Sequence, residues 1–253
     1  MKKAEILKRI LGFIIPLLLV ILWIVLSESG KFSVLILPKV STIAEALSES
    51  ITSGMMLDDL RISFFIVIRG YFIGAVLGFV LGVIMGVSQI ASGLLAPMFN
   101  VIRQIPPLAW IPILILWVGI GDDAKIILIA LAVFFPVLLN TINGISEVPG
   151  SYLEFAKNYG IKKKDVLLKI LLPGAVPSIF IGLRLGAGTA WMSIVAAEMI
   201  ASVAGVGYRI NAARNMMETA TVIVYMILIG LIGGLMDIIL RKLGEKSVKW
   251  RRE

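Results

Sequence analysis

Apolar runs of roughly 20 residues, parted by short charged stretches, limit what this chain can fold into more than any other feature. A helix rising ~1.5 Å per residue needs about that length to cross ~30 Å of hydrocarbon. The runs predict an all-α, polytopic membrane protein with six transmembrane helices in one domain over residues 1–253. The spans fall near 10–28, 62–88, 94–119, 124–145, 174–201 and 221–241. A hydrophobic content of 59%, a charged content of 16% and a mean hydropathy of +1.00 agree that lipid rather than water covers most of the surface. The first run leaves through Ser27-Glu28-Ser29-Gly30-Lys31, without a small-x-small cleavage pattern, and so reads as a retained span.

The net charge of +8 is explained by topology. With the N terminus in the cytoplasm, fifteen of the 24 basic residues fall inside: Lys2, Lys3, Lys8 and Arg9, five lysines from Lys157 to Lys169, and six residues from Arg241 to Arg252. Lys31, Lys39, Arg61, Lys125, Arg209 and Arg214 fall outside. The positive-inside bias therefore places both termini in the cytoplasm of a multi-pass protein of the cytoplasmic (inner) membrane. The basic residues form no stripe interleaved with exposed aromatics, which argues against a nucleic-acid partner. The absence of histidine and cysteine removes thiol nucleophiles, imidazole bases, disulfides and most zinc or haem sites, so neither a catalytic residue nor a metal site is expected.

Two spans carry distinctive backbones. Gly70, Gly74, Gly78, Gly82 and Gly86 repeat every fourth residue and so lie on nearly one face of the second helix, a groove that admits another helix at close range. Pro106, Pro107 and Pro112 break the third, and a broken helix survives in lipid only where protein or a water-filled cavity satisfies the freed carbonyls. The longest inside loop, 147–172, carries Ser151 and Glu154 in capping-box spacing. This predicts a short helix from Tyr152 to Gly160 that exposes Leu153, Phe155, Ala156 and Tyr159. Outside, Thr42 and Glu45 have the same spacing in a helix near 38–47, and a second amphipathic segment follows Gly205-Val206-Gly207.

Glu154-Phe155-Ala156, Gly160 and Leu172-Pro173 together resemble the EAA loop of the permeases of binding-protein-dependent ABC importers, with Phe155 where the family usually has alanine. Ile105 to Pro112, Trp117 to Gly121 and Ala196 to Met199 resemble the branch that serves nitrate, sulfonate, taurine and bicarbonate. The resemblance, which runs from about Pro38 to Trp250, implies a type I ABC importer permease fold. It also implies a coupling helix in which Ser151, Leu153, Glu154, Phe155, Ala156, Tyr159, Gly160, Leu172 and Pro173 meet an ABC ATPase. Further implications are a permease homodimer in the lipid, an extracytoplasmic solute-binding protein as donor, and no cofactor on this chain. No Gly-x-x-x-x-Gly-Lys-[Ser/Thr] loop occurs, so ATP and magnesium belong to the partner ATPase and this chain is a transport subunit, not an enzyme.

Ionisable residues inside spans need partners or water. Depth along the helices pairs Arg69 with Glu198 and Arg184 with Asp237 as structural ion pairs. Arg103 has no acid at its level and precedes the broken segment, which makes it, with Pro106, Pro107 and Trp110, the candidate lining of a path for a small anion. Snorkelling of Arg103 to the interface is the plain alternative. Two other functions compete, an ion-gradient-driven secondary transporter and a same-class importer of a vitamin precursor. An intramembrane hydrolase ranks behind both, because no lysine lies at membrane depth to serve as a base.

Single cysteines report the topology without background, since the natural chain has none. A cysteine at Lys163 should react with an impermeant thiol reagent only from the cytoplasmic side, and one at Lys39 or Arg209 only from the outside. Labelling of Lys163→Cys in intact cells would overturn the orientation.

Overall fold

A computed structural model describes residues 2–247, with side chains from Ile14 to Lys246. The basic positions Lys2, Lys3, Lys8, Arg9, Lys249, Arg251 and Arg252 on which part of the charge argument rests lie outside the described side chains. The described chain is helical: α1 (Lys2–Glu28), α2 (Val40–Thr52), α3 (Met55–Val87), α4 (Gln89–Ile102), a 3-10 turn (Pro107–Trp110), α5 (Ile111–Val118), α6 (Asp122–Ser146), α7 (Gly150–Asn158), α8 (Lys163–Val166), a π turn (Leu167–Leu171), α9 (Leu172–Ala201), α10 (Val206–Asn215) and α11 (Thr219–Ser247).

Among the described residues four helices are long and apolar enough to cross a membrane: Met55–Val87, Asp122–Ser146, Lys163–Ala201 and Thr219–Lys246. The described apolar part of α1, Ile14–Glu28, is shorter. The span expected at 94–119 is not one helix. α4 ends near Ile102, and the chain resumes at Pro107 after a bend of 87°. Pro106 and Pro107 cause the break, because neither can donate a helical hydrogen bond and each pushes the residue before it out of the α region. The fifth helix also starts earlier than the expected residue 174. The 39 residues from Lys163 run about 58 Å, well beyond the ~30 Å core, so its first turns project from the membrane. Pro173 does not stop it: the π turn Leu167–Leu171 comes just before it, and the Leu172 N–H donates to Leu167 O, a wider register that accommodates the proline.

Two compact units divide the chain. The first comprises residues 1–58 and 209–228. Within it Trp23 Nε1 donates to the Pro38 carbonyl at 3.1 Å and Lys39 Nζ reaches Glu28 at 2.9 Å. Lys39, after Pro38, is in extended backbone and leads into α2. Lys39 is the N-cap of α2 and no side chain caps it, so Thr42 and Glu45 do not form the expected capping box. Both instead line a recess of about 370 Å³ together with Arg209, Glu218 and Thr221.

The second unit, residues 59–208 and 229–253, holds the core. A Cβ built on Gly70, Gly78, Gly82 or Gly86 would lie 2.6–2.8 Å from Ile129, the Phe134 carbonyl, Thr141 or Ile145, all on α6. The five glycines therefore form the seam along which α3 lies on α6 at backbone range, as the period predicts. On an adjoining face α6 meets α9 in the same way: a Cβ on Gly182 or Gly186 would press on Asn140 or Val133, and Thr189 Oγ1 donates to the Ala132 carbonyl at 3.0 Å. Ile66, Val67, Ile129, Val133, Val137, Ala190, Trp191 and Ile194 fill the space between the three helices.

Adding bulk to the seam should break it. Gly78→Leu must displace α6 backbone, a cost at or above the ~1–3 kcal/mol of ordinary overpacking, whereas Gly93→Leu has no atom within 4 Å of its Cβ and should be neutral. Thermal stability of the two purified variants checks this. Equal melting temperatures would refute the seam.

Candidate functional site

α7 hangs from the end of α6 by Glu147-Val148-Pro149. Its N-cap is Pro149, and no side chain caps the helix, so the Ser151–Glu154 capping box does not form and the helix starts two residues before Tyr152. The proline explains the shift: its ring holds φ at −56°, ψ is 132°, and the turn begins with the Tyr152 N–H donating to the Pro149 carbonyl at 3.1 Å. The far end is as expected. Gly160 has φ +65°, its N–H donates to Lys157 O at 3.1 Å, and the Ile161 N–H donates to Ala156 O at 2.9 Å. Those two bonds are a complete Schellman stop, which favours glycine at the left-handed position.

The helix turns an aromatic pair outward. The Phe155 and Tyr159 rings lie 4.3 Å apart and are 53% and 72% exposed, with Leu153 and Tyr152 exposed on neighbouring positions. Ala156, expected on that surface, is buried at 1% exposure, on the side turned to the protein. Beside α7 a recess of about 490 Å³ is lined by Glu147, Pro149, Tyr152, Lys169 and Gly174. Ser151 and Glu154 are exposed, while Leu172 and Pro173 are half-buried in the first turn of α9.

At the bent segment Arg103 is the C-cap residue of α4 and is exposed, Pro106 caps the 3-10 turn, and Pro107 and Trp110 are half-buried. The indole Nε1 of Trp110 is buried without a protein partner. Ile111, Leu114, Ala124, Leu128 and Ala197 pack beneath it.

Of the two expected ion pairs one forms. Arg184 Nε donates to Asp237 Oδ1 and Nη2 donates to Oδ2 at 2.8 Å, a bidentate fork. Arg69 and Glu198 do not meet. Arg69 is exposed, whereas Glu198 is 1% exposed and accepts from Ser63 Oγ at 2.7 and 2.9 Å and from the Gly207 N–H at 2.9 Å. Around it Val206 N–H donates to Ser63 Oγ at 3.0 Å and Gly205 N–H to Asp59 Oδ1 at 3.2 Å. Lys125, expected outside, is buried nearby, bonded to Ser202 Oγ at 3.2 Å and Asp122 at 2.9 Å. A side chain at Gly205, whose φ is +105°, would run into the Glu198 carboxylate, so glycine is required there on two counts. This knot joins α3, α6, α9 and the turn into α10, and it meets the need of a charge in a span with backbone and hydroxyl donors. Sequence reasoning missed Asp59, Ser63 and Lys125. Their one signal was the four-residue spacing that puts Asp59 and Ser63 on the same face of α3 as the glycines.

Residues 74–248 match the family described as binding-protein-dependent transport system inner membrane component. A putative ABC transporter permease of Methanocaldococcus jannaschii is 38% identical over 248 residues, 96% of this chain and 92% of that protein. A putative aliphatic sulfonates transport permease of Bacillus subtilis is 38% identical over 240 residues, 95% of this chain and 87% of that one. An inward-facing structure of the MetNI methionine ABC transporter superposes with a TM-score of 0.64 at 19% identity, covering 73% of this chain and 92% of that one, a likeness of fold. With a projecting short helix, a bent third span and a core of close-packed helices in place, the chain belongs to the binding-protein-dependent ABC importer permeases, the membrane-spanning subunits whose ATPase is a separate chain.

Proposed function

We propose that two copies of this chain form the path of an importer for a small anionic solute of the sulfonate, taurine, nitrate or bicarbonate class. In this reading the termini and α7 are cytoplasmic, an external binding protein delivers the solute, and α7 is the element that meets the ATPase. The sulfonate-permease relative supports the solute class, and the bidentate Arg184 and the exposed Arg103 supply cations in and beside the spans. The anchored aromatic pair of α7 is the observation that carries the coupling role. Interfaces are held by a few buried aromatic or arginine anchors, and an exposed, rigidly mounted ring pair is suited to enter a groove of a partner. Phe155, larger than the family's usual alanine, makes the ring pair possible.

No side chain caps α7, so its coupling role rests on the two rings rather than on Glu154. Phe155→Ala and Tyr159→Ala should leave insertion and the helical core intact, because both side chains project from this chain. Loss of an anchor costs about 2 kcal/mol or more, roughly thirtyfold in affinity for the ATPase. Transport per ATP hydrolysed, measured after reconstitution with the partner ATPase and loaded binding protein, should fall in both variants. Unchanged coupling in both would overturn the assignment of α7.

A further inference from the structure

The Arg184–Asp237 pair poses a problem that its pairing does not solve. The two side chains are 43% and 44% exposed, in helices whose neighbouring exposed residues, Ile181, Leu185 and Leu235, are apolar. Two of the five guanidinium N–H groups serve Asp237, and the rest point away from it. Hydrocarbon cannot satisfy them, so this face of α9 and α11 is suited to water rather than to lipid.

The local shape agrees. α9 and α11 run antiparallel here, since Trp191 Nε1 donates to the Ile229 carbonyl at 3.1 Å while Arg184 meets Asp237. About one turn from the pair, toward Trp191, each helix carries a glycine, Gly188 and Gly234, and neither has an atom within 4 Å of its Cβ position. The ion pair thus has open space beside it, bordered by bare backbone on both helices.

We propose that Arg184 faces a water-filled translocation path and contacts the passing oxyanion there, with Asp237 as the counter-ion that the anion displaces. This rests on the anionic-solute reading above. The planar guanidinium fork fits two oxygens of a sulfonate or nitrate as it fits the carboxylate of Asp237. A lone guanidinium would hold the anion and stall it. A guanidinium already paired binds it weakly enough to release, which is what conduction through a site demands.

The test uses the complete complex in proteoliposomes, with ATPase and binding protein. First, Gly188→Cys should react with a charged, water-soluble methanethiosulfonate at least about tenfold faster than Phe72→Cys, an exposed position on α3, because thiolate chemistry needs water. Equal rates would overturn the proposal whatever the solute. Second, Arg184→Gln should lower ethanesulfonate uptake per ATP about tenfold, the loss of one charge-assisted hydrogen bond. The Arg184→Gln/Asp237→Asn double variant, which can restore a neutral bond between the helices, should stay equally low. Full recovery in the double variant would make the pair a brace and overturn the proposal. Stimulation of ATP hydrolysis by the loaded binding protein shows that each variant is assembled. Absence of ethanesulfonate uptake by the unmodified complex would instead count against the solute class, and the labelling rates would still decide the path.

Discussion

The contact on which the rest of the structure depends is the approach of α3 to α6 along Gly70, Gly74, Gly78, Gly82 and Gly86. In lipid there is no hydrophobic drive to bring two apolar helices together, so close packing and the backbone contacts it allows must do so. Five absent side chains let α6 carbonyls and side chains fill the groove of α3. An adjoining face of α6, which shares Val133 and Val137 with the first, meets Gly182 and Gly186 of α9, so small residues set its distance to both neighbours. Once α6 is fixed, its end fixes α7 through the short Glu147–Pro149 link, and the long helix from Lys163 returns beside it. The proposed coupling element, α7, is therefore mounted on the end of the close-packed α6, an arrangement suited to transmitting displacement rather than absorbing it.

The charges inside the spans divide by environment. Glu198 is enclosed by Ser63 and the turn at Gly205–Gly207, where the Ser63 hydroxyl and the Gly207 N–H hold its carboxylate and the loop that follows is pinned in return. Arg184 and Asp237 satisfy each other and remain open. The first arrangement is a structural clasp between α3, α9 and the turn into α10; the second keeps donors available to a visitor. Net charge alone distinguishes neither, since both lie in helices of similar hydropathy.

Much of this was legible in the sequence, for physical reasons. A four-residue glycine period has one structural use in a span, and it appears where the period places it. Gly160 ends α7 because a left-handed residue after a short helix is cheapest as glycine. The capping boxes were illegible, because Pro149 and the Pro38-Lys39 pair preset the extended backbone before each helix and left Ser151 and Thr42 inside. The Arg69–Glu198 pairing failed because depth along a helix says nothing about azimuth: Arg69 points outward while Ser63, six residues earlier, faces Glu198. The prolines announced a break at 103–107 but not its 87° angle, which the packing of Ile111 and Leu114 on α6 and α9 residues selects.

The seam has a direct measurement. A Cβ on Gly86 would lie 3.1 Å from Ile145 Cβ, and a cysteine at 145 removes the Cδ1 and Cγ2 atoms that crowd it, leaving a gap a few tenths of an ångström short of the ~3.5–4.5 Å of a disulfide. The chain has no other cysteine, so a Gly86→Cys/Ile145→Cys variant can close only that intramolecular bridge. Mass spectrometry of the oxidised protein in membranes should find the α3–α6 disulfide, and should find none in Val87→Cys/Ile145→Cys, whose first site is exposed on another face. A bridge in the second variant and not the first would contradict the register of the seam and the account built on it.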